Sequence, residues 1–102
     1  MKIIKTMTGA VSETVEVVAA VSGKKVYVYG YLLSSDTDAS FTFKSATTQI
    51  WPTLFIGANG GTSELEMRDG PLWMCETVAG EALNLVGSVA SNASIVVFCE
   101  QR

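Results

Sequence analysis

The sequence contains no histidine, and only 17 % of its 102 residues are charged. Histidine is the commonest general base and a frequent metal ligand, so its absence removes the usual centre of acid–base and metal chemistry. Glu64 and Glu66 are spaced like a carboxylate pair, but each alternates with an apolar residue, as on the solvated face of a strand. We therefore expect a protein that is not an enzyme, has no catalytic residues and binds neither a metal ion nor a cofactor.

Basic residues are also scarce. Seven Lys and Arg oppose ten Asp and Glu, which leaves a net charge of −3. Without a basic stripe, the chain lacks the surface that nucleic acids or anionic lipids require. No apolar run approaches the roughly 20 residues of a membrane-spanning helix. Met1–Thr6 also lacks the apolar core of a signal peptide. We predict no nucleic-acid partner and no membrane partner, and synthesis in the cytoplasm of the producing cell.

Only two cysteines occur, Cys75 and Cys99. Two cysteines without a histidine cannot supply the four ligands of an ordinary structural zinc site. A disulfide between neighbouring strands is the alternative, but nothing in the sequence indicates an oxidising compartment. Both cysteines lie in apolar segments, where a free thiol behaves as a small hydrophobic side chain. We predict two buried, unbonded thiols.

Hydrophobic residues are abundant, at 48 % of the chain, and many alternate with polar residues at the period of a β-strand. In Ala39–Ser45, for example, Ala39, Phe41 and Phe43 face one way and the residues between them face the other. Turn residues interrupt the pattern at Ser22-Gly23, Asn59-Gly60-Gly61 and Arg68-Asp69-Gly70-Pro71. No segment has a helical period. About eight short strands at a spacing of roughly 8–12 residues predict an all-β, single-domain antiparallel β-sandwich with jelly-roll topology.

Two stretches depart from simple alternation. Residues 1–14 have no steady period, which predicts an N-terminal arm or a short strand over Lys2–Thr6. Residues 15–102 are predicted to form the jelly-roll domain. Within that domain, Pro52 cannot donate a hydrogen bond to a sheet, so Thr47–Ile56 is expected to break into two short strands at an edge.

Two predicted strands, Lys24–Leu33 and Ser94–Glu100, are apolar on both faces. Strict alternation in the first places Val26, Val28 and Leu32 on the core side. The opposite sides of the two strands then carry the candidate subunit-interface residues, which are Tyr27, Tyr29, Tyr31, Val96 and Phe98. A second apolar face needs a cover, and the other sheet, a loop or another copy of the chain would each provide one.

The two tryptophans, Trp51 and Trp73, offer a different interpretation. Aromatic rings beside polar groups stack on sugars in some jelly-roll proteins. Packing in the core or at an interface is the alternative for both rings, because interfaces also collect aromatic residues. Trp51 and Trp73 are therefore the candidate sugar-stacking residues if the chain binds carbohydrate.

Several short pieces occur in a set order along the chain. They are Ala19-Ala20-Val21-Ser22-Gly23-Lys24-Lys25-Val26, Tyr31-Leu32-Leu33, Phe43-Lys44-Ser45, Ala58-Asn59-Gly60-Gly61, and Glu76-Thr77 followed by Ala79-Gly80-Glu81-Ala82-Leu83-Asn84-Leu85. Over roughly residues 15–98 this series resembles small virion proteins of tailed bacteriophages, the capsid decoration or cement proteins. The residues of Ile50–Thr53 and of Met67–Cys75 depart from the resemblance, and Met1–Thr14 has no counterpart in it.

The resemblance implies a jelly-roll module that forms a homotrimer and binds the major capsid protein on the outer surface of the virion. It also implies synthesis in the host cytoplasm, and it carries over no catalytic residue. The two apolar faces would then be covered by neighbouring copies of the chain. Because similar modules resemble domains of phage tails and fibres, the alternative function is a carbohydrate- or receptor-binding module at one of those positions.

Overall fold

The computed structural model describes residues 2–11, 14–65, 73–89 and 91–102. Within these ranges the chain forms ten β-strands and no helix, in two antiparallel sheets that pack as a β-sandwich. The strands are β1 (Lys2–Val11), β2 (Thr14–Val18), β3 (Val26–Ser35), β4 (Ala39–Ser45), β5 (Thr48–Gln49), β6 (Leu54–Ile56), β7 (Gly60–Leu65), β8 (Cys75–Glu76), β9 (Leu83–Gly87) and β10 (Ser91–Gln101). The predicted all-β class and the antiparallel sandwich are confirmed.

Five of the described strands belong to each sheet. In the first sheet, β1, β10 and β3 lie side by side, and β7 and β8 pair with successive parts of β3. In the second sheet, β2, β9 and β4 lie side by side, and β5 and β6 pair with opposite ends of β4. The pairs are nested: β1 with β10, β2 with β9, β3 with β7 and β8, and β4 with β5 and β6. Successive pairs alternate between the two sheets.

The core lies between the sheets and is built by alternation along the strands. Phe41 and Phe43 of β4 and Leu83 and Leu85 of β9 are fully buried, while the residues between them lie on the outside. The first sheet contributes Val26, Val28, Tyr31, Leu33, Ala93, Ile95, Val97 and Cys99 to the same cluster. The predicted inward side of Ala39–Ser45 is therefore confirmed.

A β-bulge in β3 overturns part of the predicted alternation. Phe98 of β10 pairs with Gly30, and the next residue, Cys99, pairs with Val28, so Tyr29 is an extra residue in β3. An inserted residue shifts the inside–outside phase of everything that follows it. Tyr31, predicted for the subunit interface, therefore lies in the core at 2 % exposure, and Leu32, predicted for the core, is 46 % exposed. The predicted outward position of Tyr31 and the predicted core position of Leu32 were therefore wrong.

The N-terminal strand is longer than the predicted Lys2–Thr6. All ten residues of β1 pair with β10, from Lys2 opposite Glu100 to Val11 opposite Ser91. Pairing with β10, rather than a period in the local sequence, determines the length of β1. The sequence pattern therefore predicted a strand that was too short. The predicted turn Arg68–Pro71 and the carboxyl group of Glu66 lie outside the described residues.

The turns follow the predicted chemistry, with one addition. Gly23 and Asn59 have positive φ, at 74° and 57°, as expected for glycine and asparagine in tight turns. Ala46 also has a positive φ, 51°, where β4 turns into β5. Its backbone is held from both sides, because its amide donates to the carbonyl of Ala82 at 3.0 Å and its own carbonyl accepts from Asn84 Nδ2 at 3.0 Å.

The two cysteines are buried and unbonded, as predicted. Val28 of β3 pairs with Cys99 on one side and Cys75 on the other. The cysteines are therefore two strand spacings apart, roughly 9.6 Å. A disulfide needs Cα atoms within about 7 Å, so this register excludes the bond.

Burial raises the pKa of the Cys75 thiol to about 12. Since only the thiolate reacts with disulfide reagents, the folded protein is expected to release essentially no chromophore from Ellman's reagent at pH 8 within minutes. In denaturing urea the same reagent should count two thiols per chain, with or without prior reduction. Rapid reaction of one thiol in the native protein would contradict the burial of the cysteines.

Candidate interaction surface

The outer side of the first sheet carries the largest group of candidate interface residues. Val96 and Phe98 of β10 alternate with the buried Ile95 and Val97 and are themselves half-buried on the outside. Leu32 pairs directly with Val96, and Phe98 lies opposite Gly30. Together with the half-buried Tyr27 near the other end of β3, the residues Leu32, Val96 and Phe98 form what we call the outer apolar face.

Tyr29, the bulge residue, is 5 % exposed and lies outside the core cluster. Its burial within a single chain makes it a poor residue for contacting another copy. Of the five predicted interface residues, the structure therefore keeps Tyr27, Val96 and Phe98 on the outer apolar face and moves Tyr31 into the core. Leu32 is the member of this face that sequence reasoning missed.

The outer side of the second sheet has a different character. Outward positions on its three central strands are held by polar residues, with Val86 of β9 as the apolar exception. The polar residues are Glu16 of β2, Thr42 and Lys44 of β4, and Asn84 of β9. Such a face is satisfied by water. Phe55 is a separate feature, because it lies in the short β6 beside β4 and is 83 % exposed. Among the side chains that the structure describes, the two broad faces of the sandwich thus differ in polarity.

A shallow groove crosses the outer apolar face towards one end of the sandwich. Its apolar part has a cavity volume of about 340 Å³ and is lined by Leu32, Val96 and their neighbours. Beyond it lies an open cleft of about 410 Å³ with Asp36, Asn59 and Asn92 in its wall. Both cavities share Ser34 and Ser94. Among the described residues, no aromatic ring lines either cavity.

Asp36 ties together the chain segments at the polar end of this groove. Its carboxylate accepts hydrogen bonds from the backbone amide of Asn92 at 3.0 Å, from Asn92 Nδ2 at 3.1 Å and from the Thr37 hydroxyl at 2.8 Å. The Thr37 hydroxyl and then the Asn92 amide hold the pKa of Asp36 below its usual value. The carboxylate thereby links the end of β3 to the start of β10.

The two tryptophans have different surroundings. Trp51 is half-buried and packs against the hydrophobic core near β5. Trp73 precedes β8 and meets Tyr27 edge to face, with ring centroids 4.7 Å apart and planes inclined by 72°. Among the described residues, no ring contact joins Trp51 to Trp73. The prediction that they stack on sugars remains a prediction.

Arg102 completes the group around Tyr27 and Trp73. Its guanidinium carbon lies 4.4 Å from the centre of the Tyr27 ring and 5.4 Å from that of Trp73. One guanidinium nitrogen, Nη1, is 3.1 Å from a carboxylate oxygen of Glu100. We call the pair Tyr27 and Trp73 the aromatic corner. Sequence reasoning did not find this group, because Tyr27, Trp73 and Arg102 come from three distant segments that only the sheet register brings together.

The described part of the chain contains no cluster of three or more histidine, cysteine or acidic side chains that could hold a metal ion. It also contains no helix with the length and apolar character to cross a membrane. Comparison of the chain with protein-family models, with curated proteins and with solved structures found no match. The phage resemblance therefore rests on the amino-acid sequence alone.

Proposed function

We propose that this chain is a non-enzymatic structural protein of a phage virion, a homotrimeric decoration protein that binds the major capsid protein on the outer capsid surface. The observation that carries the proposal is the contrast between the two broad faces of the sandwich. One face exposes Leu32 beside Val96 and Phe98, whereas the other is largely polar. Contiguous exposed apolar surface is typical of a binding interface.

The strand order supports the jelly-roll topology that the resemblance implies. The strands form four nested antiparallel pairs that alternate between the two sheets. Winding one long hairpin into a sandwich of two Greek keys produces such an arrangement. In a closed three-fold assembly of such modules, every copy presents the same surfaces to its neighbours. The outer apolar face would then be buried in each copy.

The stabilising mechanism would be mass action. A protein that binds only the assembled shell stabilises that shell by RT ln(1 + [L]/Kd), which is about 2.7 kcal/mol per site when the free protein is at a hundredfold excess over Kd. Many such sites, none of them requiring a chemical step, would resist expansion of the capsid from within. The absence of histidine is no obstacle to a function of this kind.

The assembly is tested with two matched valine substitutions. Val96→Asp places a charge on the outer apolar face, and Val86→Asp places the same charge at a half-buried position on the other face. Light scattering should report three times the 10.8 kDa chain mass for the native protein and for Val86→Asp. For Val96→Asp it should report 10.8 kDa, with an unchanged far-UV circular dichroism spectrum, because a charge in an apolar interface is costly.

A native protein that scatters as a 10.8 kDa monomer at micromolar concentration would refute the trimer. Equal loss of assembly in both variants would mean that the outer apolar face is not the interface. Tyr29 is unsuitable for this test, since a charge at a side chain that is buried in the single chain would also disturb the fold.

The capsid partner is tested separately by mixing the purified protein with undecorated phage capsids. We expect saturable uptake at a constant number of copies per capsid, and a higher temperature of capsid disruption afterwards. The absence of uptake, together with specific glycan binding that Trp51→Ala or Trp73→Ala abolishes, would instead support the carbohydrate-binding module of a tail or fibre.

A further inference from the structure

We propose that the aromatic corner formed by Tyr27 and Trp73 is a binding site for the guanidinium group of an arginine presented by a partner protein, a site that Arg102 fills in the free chain. Tyr27 belongs both to this corner and to the outer apolar face, so the two proposals share one residue, but the arginine site itself requires neither the trimer nor the capsid. It concerns a surface at the end of the sheet where β3 begins and β10 ends.

The rings have the geometry of a cation site. A cation is attracted to the face of an aromatic ring when it lies within about 6 Å of the centre. The guanidinium carbon of Arg102 meets this condition at both rings, at 4.4 and 5.4 Å. Because the planes of Tyr27 and Trp73 are inclined by 72°, the two rings form two walls rather than one flat platform.

An acceptor completes the site and favours arginine. Glu100, which pairs with Tyr27 across β10 and β3, has a side chain only 14 % exposed and lies 3.1 Å from the guanidinium nitrogen Nη1. A planar guanidinium stacks on a ring and donates to a carboxylate at the same time, which a compact ammonium does less well. The neighbouring ammonium of Lys25 pairs with Glu76 at 3.0 Å.

The Arg102 side chain is able to leave the aromatic corner while the backbone of Arg102 stays paired with Lys25. Its side chain is 45 % exposed, so solvent and solutes reach the guanidinium. The backbone of Arg102 is held independently, because its amide donates to the carbonyl of Lys25 at 3.0 Å and its carbonyl accepts from the Lys25 amide at 3.1 Å. A second guanidinium therefore competes only with a side-chain contact, and the corner persists when Arg102 moves away.

The experiment uses Trp73 as the reporter. The chain has two tryptophans, so the background substitution Trp51→Phe leaves Trp73 as the sole tryptophan signal. In this background, Arg102→Ala empties the corner, and the blocked tripeptide Gly-Arg-Gly supplies a guanidinium as an internal arginine of a protein would. We expect a saturable change in Trp73 fluorescence, with half-saturation at a concentration about fivefold lower than in the chain that keeps Arg102, the ratio typical of one exposed cation–π contact.

Two controls make the outcome decisive. The blocked tripeptide Gly-Lys-Gly should bind more weakly, and adding Tyr27→Ala to Arg102→Ala should abolish the saturable signal while the circular dichroism spectrum stays unchanged. If Arg102→Ala only lowers the melting temperature and no peptide binds, Arg102 is a structural clamp and the proposal is wrong. Equal binding with and without Tyr27 would also overturn it.

Discussion

Replacing Tyr31 by alanine is expected to lower the free energy of unfolding by about 3 kcal/mol or more, whereas Leu32→Ala should change it by no more than about 0.5 kcal/mol in the monomer. The two residues are adjacent in β3, and both are large and apolar. The sequence pattern predicts the opposite ranking, because alternation places Leu32 in the core and Tyr31 outside it. The pair is therefore a direct test of the bulge.

The expected difference follows from what each side chain touches. The Tyr31 ring is 2 % exposed and lies 5.4 Å from the ring of Phe43, which belongs to the opposite sheet. Removing it leaves a cavity between the sheets in addition to the lost transfer free energy. Leu32 is 46 % exposed on the outer apolar face, so its truncation in a single chain removes little buried surface.

Urea denaturation followed by circular dichroism measures both values. The proposed trimer would add an interface contribution at Leu32, so the measurement belongs at concentrations where the unfolding midpoint no longer depends on protein concentration. A larger loss for Leu32→Ala than for Tyr31→Ala under those conditions would mean that β3 alternates without a bulge.

Local patterns predicted much of the fold. The inward side of β4, the turns at Gly23 and Asn59 and the burial of both cysteines all follow from residue type and neighbours in sequence. Pro52 likewise separates β5 from β6 as expected, since it cannot donate to a ladder. These features depend on interactions within a few residues, which a single sequence displays.

The candidate surface was harder to predict because it depends on pairing between distant strands. One signal was available: Gly30 is an isolated glycine within an otherwise apolar, aromatic strand, and such a glycine is typical of a bulge. A bulge predicted at Gly30 would have placed Tyr31 in the core and Leu32 on the outside. The aromatic corner had no comparable signal, since Tyr27, Trp73 and Arg102 are brought together only by the registers of β3 with β8 and β10.

The second large effect is expected at Thr77, where Thr77→Val should lower the free energy of unfolding by about 2 kcal/mol although the two side chains have nearly the same shape. Thr77 is 1 % exposed and follows the last residue of β8. Its hydroxyl accepts a hydrogen bond from the backbone amide of Val26 at 2.8 Å, and its own amide donates to the Val26 carbonyl at 3.0 Å.

The hydroxyl replaces a sheet acceptor at the start of β3. The amide and carbonyl of Lys25 both bond to Arg102, which follows the end of β10. Successive backbone amides of a strand point in opposite directions, so the Val26 amide points away from β10 and towards the β8 side. β8 ends at Glu76, and the Thr77 hydroxyl takes the place of the missing strand acceptor there. Val26 is fully buried, which keeps water from serving as a substitute acceptor. A buried amide without a partner carries the full cost of its lost hydration, about 1–3 kcal/mol.

Thr77→Ser is the matched control, because it deletes a methyl group but retains the hydroxyl oxygen that Val26 needs. In urea denaturation, the free energy of unfolding of Thr77→Ser should be closer to that of the native protein than the value for Thr77→Val is. This order is expected even though valine preserves more apolar volume. If valine were tolerated as well as serine, the contact between the Thr77 hydroxyl and the Val26 amide would contribute no net stability.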